Sequence, residues 1–283
     1  MPSFDTSEPI SVTAQVFAGS IHFAASDRND TVVDVRPHDP KKDLDVRAAE
    51  QTEVTYAGGR LHIKMSRQRS LFGRTGVVDV VVDLPTGSDV EATGSWVEVR
   101  GNGRLGEVRV KTSSGDIRLG ETGPLRLDAS HGSIVVDSVE GSAEITTSSG
   151  SMRVGTLDGA AILKNSYGTT TVRHSTGDLR ISGAYGDIIV ERAEGSVAAT
   201  TAYGALRLDE VIRGSVQLET SYGSIDVGVR AGTAAWLDVS SSSGRVHNSL
   251  TGSDSPDGSE DTIEVRARTS HGNIDIHRAA PMS

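Results

Sequence analysis

Glycine recurs through the middle of this chain with a period of 18 residues. Gly115, Gly132, Gly150, Gly168, Gly186, Gly204 and Gly223 follow at intervals of 17, 18, 18, 18, 18 and 19. A second series, Gly106, Gly123, Gly141, Gly159, Gly177, Gly195 and Gly214, runs nine residues ahead of the first. Each repeat is therefore a pair of nine-residue halves. A unit this short cannot bury an apolar stripe alone, so it is stable only when stacked on copies of itself.

Within each half, apolar residues stand two and four positions after the glycine. Val108/Val110, Leu125/Leu127, Leu179/Ile181 and Val216/Leu218 represent the first halves, and Ile117/Leu119, Ile134/Val136, Ile188/Val190 and Leu206/Leu208 the second. Thr170 is the one break in that pattern. Polar residues such as Arg109, Arg118, Glu144 and Arg180 lie between them. A period of two marks a strand with one buried face, and helical spacing fails throughout the repeats. Stacked coils set like residues above one another at about 4.8 Å, so the backbone pairs from coil to coil. The fold class expected is all-β: a parallel β-solenoid of 18-residue coils over residues 103–279, with glycine at the corners. Two further coils, Ala235 to Asn248 and Ile263 to His277, are expected in sequence order, with an open strand edge after His277 and an acidic loop, 251–261, between them.

Residues 1–102 are β-rich without strict period and are expected to form an irregular N-terminal cap, since repeat arrays need capped ends. Candidate strands there are Ser11–Phe17, Ser20–Ala24, Thr31–Arg36, Glu53–Tyr56, Arg60–Lys64, Val77–Leu84 and Trp96–Arg100. A basic run, Lys64 to Arg74, reads as a solvated loop, because no aromatics interleave as single-strand binding requires.

Composition narrows the chemistry. The 283 residues include no Cys, which excludes disulfides, thiolate metal sites and a Cys nucleophile. A formal net charge of -10 disfavours broad contact with phosphate backbones or anionic lipid, so neither nucleic acid nor membrane insertion is expected. The first ten residues lack a basic and apolar leader, which points to a cytoplasmic protein, or to a secreted or surface one if a leader has been removed. Gly-Asp pairs occur at Gly115-Asp116, Gly177-Asp178 and Gly186-Asp187, but the full calcium-binding nonapeptide does not, so no metal is expected. The eight His show no ligand spacing, no nucleophile elbow or phosphate loop occurs, and no cofactor is expected.

Three stretches carry a family likeness: Val80-Val-Val-Asp-Leu-Pro-Thr-Gly-Ser-Asp-Val90, Lys111-Thr-Ser-Ser-Gly-Asp-Ile117, and Ala235-Trp-Leu-Asp-Val239 with Gly244-Arg-Val-His-Asn-Ser-Leu250. With the repeated Ser/Tyr-Gly-x-Ile/Leu-x-Val/Leu, they resemble the bacterial β-strand-repeat proteins labelled "putative adhesin", of the type common in actinobacteria. The resemblance implies a β-solenoid and no particular chemistry.

One column stands out. The residue before the second-half glycine is Ser114, His131, Ser149, Tyr167, Tyr185, Tyr203, Tyr222, Ser243 and His271, so four of the five Tyr fall on consecutive coils. Stacked rings stabilise a solenoid corner, and an exposed aromatic row also suits an interface. Tyr167, Tyr185, Tyr203, Tyr222, His131 and His271 are thus the candidate ligand-binding residues; catalytic residues are not assignable. The expected function is a non-enzymatic interaction scaffold for a protein or glycan partner, with self-association as a further expectation. The alternative is an enzyme or a small-molecule or sugar binder using the Tyr column with Asp187, Arg207 and Glu219.

Overall fold

The computed structural model describes residues 1–66, 75–250 and 261–280. The basic stretch 67–74 and the acidic stretch 251–260 lie outside the described residues. The chain is all-β with parallel strand pairing dominant, as the period of two predicts. It divides into two units, Met1–Glu140 and Gly141–Ser283.

In the first unit, parallel pairing already begins at residue 11. Ser11–Gln15 pairs with Arg60–Lys64 on one side and with the start of Asp89–Leu105 on the other. Ala18–Ser26 lies likewise between Val78–Pro85 and the later part of Asp89–Leu105. Regular coils follow: Val108–Ser114 with Leu125–His131, and Ile117–Thr122 with Ile134–Glu140. The coil formed from residues 11–26 is thus flanked by two coils that come later in sequence. The outer coil is closed off by antiparallel strands, Glu53–Ala57 on Arg60–Lys64 and Asp30–Pro37 on Val78–Pro85. Pairing each parallel edge with an antiparallel strand satisfies the donors and acceptors of that edge.

A helix, Asp43–Glu50, which the period of two did not anticipate, packs on Asp30–Pro37 and Val78–Pro85. Its buried Asp45 explains its position. The carboxylate accepts hydrogen bonds from the backbone N–H of Val77 at 2.9 Å and of Asp39 at 3.2 Å, tying the helix to both flanking segments.

The second unit stacks Ala143–Ser149, Ala161–Tyr167, Leu179–Tyr185, Val197–Tyr203 and Gly214–Tyr222 in sequence order. Met152–Asp158, Thr170–Ser175, Ile188–Ala193, Leu206–Val211 and Ile225–Val229 form the matching second halves. Then the order departs from expectation. Thr262–His271 pairs with Gly214–Tyr222 on one side and with Ala234–Ser243 on the other. The end coil is therefore residues 234–248, not the coil ending near His277. Core composition accounts for the exchange. The inserted coil turns Ile263, Val265, Ala267, Ile274 and Ile276 inward, all at most 2% exposed, whereas the end coil has Ala235, Leu237, Val239, Val246 and Asn248 at those register positions. The more apolar coil takes the place covered on both sides, where burial stabilises most.

The inward residues named from the period of two are all buried, Thr170 among them. In the second unit a third inward column, Leu157, Ser175, Ala193 and Val211, fills the bend after each second half. At the corners the coils approach closely. Gly168 has φ +134°, and a Cβ there would stand 2.2 Å from the carbonyl oxygen of Gly150, so only glycine fits.

Candidate functional site

The tyrosine column becomes a ladder in the second unit because parallel, in-register pairing repeats each side chain one coil further on. Tyr167 pairs with Tyr185, Tyr185 with Tyr203, Tyr203 with Tyr222, and Tyr222 with His271. Ring centroids are 5.0, 4.9, 5.0 and 4.6 Å apart, and the planes are within 6° of parallel. The tyrosines are 46–55% exposed. Each inner ring therefore has both flat faces turned to a neighbour, and what reaches solvent is the ring edges and the phenol end. Ser149 and Ser243 occupy the same position on the flanking coils. His131 lies in the first unit beside Ser114, so the ladder contains His271 and not His131.

The neighbouring polar columns serve the backbone. Thr201, Thr220, Thr269 and Ser241, two residues before the ladder, point inward and donate to the corner carbonyls of Gly186, Gly204, Gly223 and Gly272 at 2.8–3.4 Å. Asn165 does the same with its amide, reaching Gly150 and Gly168. The corner glycines pack closely, and these inward donors engage their carbonyls. The aspartates of the Gly-Asp pairs play a comparable part, since Asp116, Asp178 and Asp187 accept from the backbone N–H of Ser133, Ser196 and Ala205 in the next coil. Among the described residues no cluster of His, Asp and Glu is arranged to hold a metal ion. Asp187 is thus committed to the corner, and Arg207 is paired with Asp209 on its own strand. Glu219 is exposed on the strand that ends at Tyr222.

A second cluster has no counterpart among the sequence motifs. In the first unit, Asp79, Ser20 and Glu98 lie side by side on three adjacent strands, as do Val81, His22 and Arg100 one step along. Trp96, 67% exposed, stands beside Ala18 at the same end. Together with His38 and Val77 they line a recess of about 580 Å³. Asp79 accepts from the Ser20 hydroxyl at 2.7 Å and lies 3.0 Å from His38 Nδ1. The carboxylate stands between the hydroxyl and the imidazole, so His38 cannot take the Ser20 proton and this is not a nucleophile triad. The sequence signal was weak because its members come from four separate strands and loops.

The geometry defines a class: a parallel β-solenoid built of paired short strands, with side-chain ladders running along its corners. Within that class the chain belongs to the Toastrack DUF4097 family, whose pattern matches residues 10–277. Among solved structures it is similar to a "putative lipid binding protein" of Parabacteroides distasonis, at 11% identity and a TM-score of 0.41, covering 97% of this chain and 95% of that one. It is also similar to a "putative adhesin" of Bacteroides fragilis, at 12% identity, a TM-score of 0.36 and coverage of 97% and 95%. A third, from Parabacteroides merdae and likewise described as a "putative adhesin", has 12% identity, a TM-score of 0.41 and coverage of 97% and 94%. No curated protein sequence matches the chain significantly. No helix among the described residues is long and apolar enough to cross a membrane.

Proposed function

We propose that the chain is a non-enzymatic interaction scaffold, and that the ladder from Tyr167 to Tyr222, extended by His271, is the surface it offers to a protein partner. One observation carries the reading: four half-exposed tyrosines are held parallel on consecutive coils. Tyrosine is enriched at protein interfaces, where a rigid amphipathic ring gives contact area at low entropic cost. Here the rings are already ordered by one another, so little freedom remains to be lost on binding. A saccharide would be expected to stack on an open ring face, and the inner faces are occupied by neighbouring rings. That favours a protein over a glycan at this surface.

The test uses a photo-crosslinking amino acid placed at Ser166 or Ser221, both exposed next to the ladder. The expected result in the native host is a discrete protein adduct that disappears in the Tyr185→Ser/Tyr203→Ser double variant. Failure to form any adduct, or an adduct indifferent to that double variant, refutes the proposal.

A further inference from the structure

We infer that the recess of the first unit is a carbohydrate-binding site, in which Trp96 is the stacking wall and Asp79, Glu98 and Arg100 bind hydroxyls. The inference is independent of the ladder reading and involves none of its residues.

The walls come from register. Val77 and Asp79, then Ala18 and Ser20, then Trp96 and Glu98 occupy three neighbouring strands. Trp96 and Asp79, both lining the recess, thus stand on strands two spacings apart, about 10 Å, and His38 lies one strand further out, where Pro37 pairs with Val78. Gly19 lies on the floor between them, where a Cβ would meet the Val78 carbonyl at 1.7 Å, so no side chain stands there. The volume falls in the range of small-ligand sites. Unlike the ladder tyrosines, Trp96 has no ring stacked on it among the described residues. Its flat face is therefore available to the C–H face of a sugar ring.

The polar groups select the ligand. Both carboxylates already have cationic or polar partners: Asp79 has His38 and Ser20, and Glu98 has Arg100 at 2.6–2.8 Å. A cationic ligand would compete with Arg100 and His38, and an anionic one would meet Asp79 and Glu98. A neutral polyhydroxyl ligand meets acceptors on the carboxylates and on Ser20, whose own proton goes to Asp79, and donors on Arg100, without an unpaired charge. These side chains are pre-oriented by one another, which lowers the cost of binding. Their half-exposed state, 34–35% for Glu98 and Asp79 side chains, leaves acceptor positions open to a ligand.

The chain has two Trp, so a Trp236→Phe background makes Trp96 the single reporter. Its emission is followed during titration with maltotriose, cellotriose, chitotriose and mannotriose at millimolar concentrations, with choline and inorganic phosphate as charged probes. At least one trisaccharide is expected to give a saturable blue shift. Asp79→Asn and Glu98→Gln, assayed separately, should each weaken it at least tenfold; Glu98→Gln keeps the shape of a partly exposed side chain, so a folding defect does not mask the result. No response to any of the four trisaccharides overturns the inference. So does a response to choline or phosphate alone, or binding that survives both substitutions.

Discussion

Removing one ring from the middle of the ladder should cost more than removing one from its end, and the difference follows from the geometry. Tyr203 stacks on both Tyr185 and Tyr222, at 4.9 and 5.0 Å, whereas Tyr167 stacks only on Tyr185. Serine is the natural replacement, because Ser149 and Ser243 fill the same corner on flanking coils without distorting it. Ring pairs contribute about 0.5–1.5 kcal/mol beyond area, and half-exposed pairs belong at the lower end. Tyr203→Ser therefore loses about 1–2 kcal/mol of stacking, and Tyr167→Ser about half of that. Each also loses its own contact with the strand beneath, which is similar for both and cancels in the comparison. Urea unfolding followed by far-UV circular dichroism reads the difference as a shift in midpoint at constant slope. Equal losses at the two positions, or a larger loss at Tyr167, would refute the reasoning, since the rings would then act singly and not as a stack.

Three further outcomes are expected. Gly168→Ala should cost at least about 1–3 kcal/mol from its backbone angle alone, with the clash against Gly150 added. Gly58→Ala, where nothing lies within 4 Å, should cost markedly less in the same unfolding assay. His277 donates from Nδ1 to the Arg278 carbonyl and lies 3.2 Å from Asp226, and its pKa is raised mainly by that carbonyl, then by Asp226, against the opposing effect of burial. A raised folded-state value means that the stabilisation is complete below the unfolded value near 6.5 and is lost as pH rises through the folded one. The stability difference between the native protein and His277→Gln should accordingly shrink as pH rises above about 6.5; a difference that grows with pH contradicts the assignment. Finally, the outer strand Ala234–Ser243 carries no Lys, Arg or Pro, the residues that usually blunt an edge. Concentration-dependent self-association in sedimentation velocity should disappear in Ser242→Lys/Val246→Lys, and a strict monomer at every concentration removes this prediction.

The coils were legible because their signal is local and repeated: two aliphatics after each glycine fix the face, and the fixed interval fixes the register. The ladder followed from the same arithmetic, though its exposure did not, since the side chains sit where the chain turns. What the period could not reveal was the order of coils at the ends. Residues 234–248 and 262–278 both satisfy the pattern, and only the relative weight of Ala235, Val246 and Asn248 against Ile263, Ile274 and Ile276 decides which is covered. The helix Asp43–Glu50 was missed because eight residues give too few turns to stand against β-rich surroundings. The Trp96 recess was invisible for a different reason: Ser20, His38, Asp79 and Trp96 are brought together by pairing over 76 residues of chain, without any short motif.

The insertion of Thr262–Arg278 between Gly214–Val229 and Ala234–Asn248 bears on how the molecule is made. A coil translated later must enter a slot bounded by two translated earlier, so those two cannot close on each other first. Growth from the ribosome cannot simply add one rung after another at that end. Residues 234–248 must wait, unpaired, until the following segment has emerged, and a chain cut short before residue 262 would lack the rung to which they dock. Assembly of this end is thereby tied to completion of the segment that supplies the missing rung.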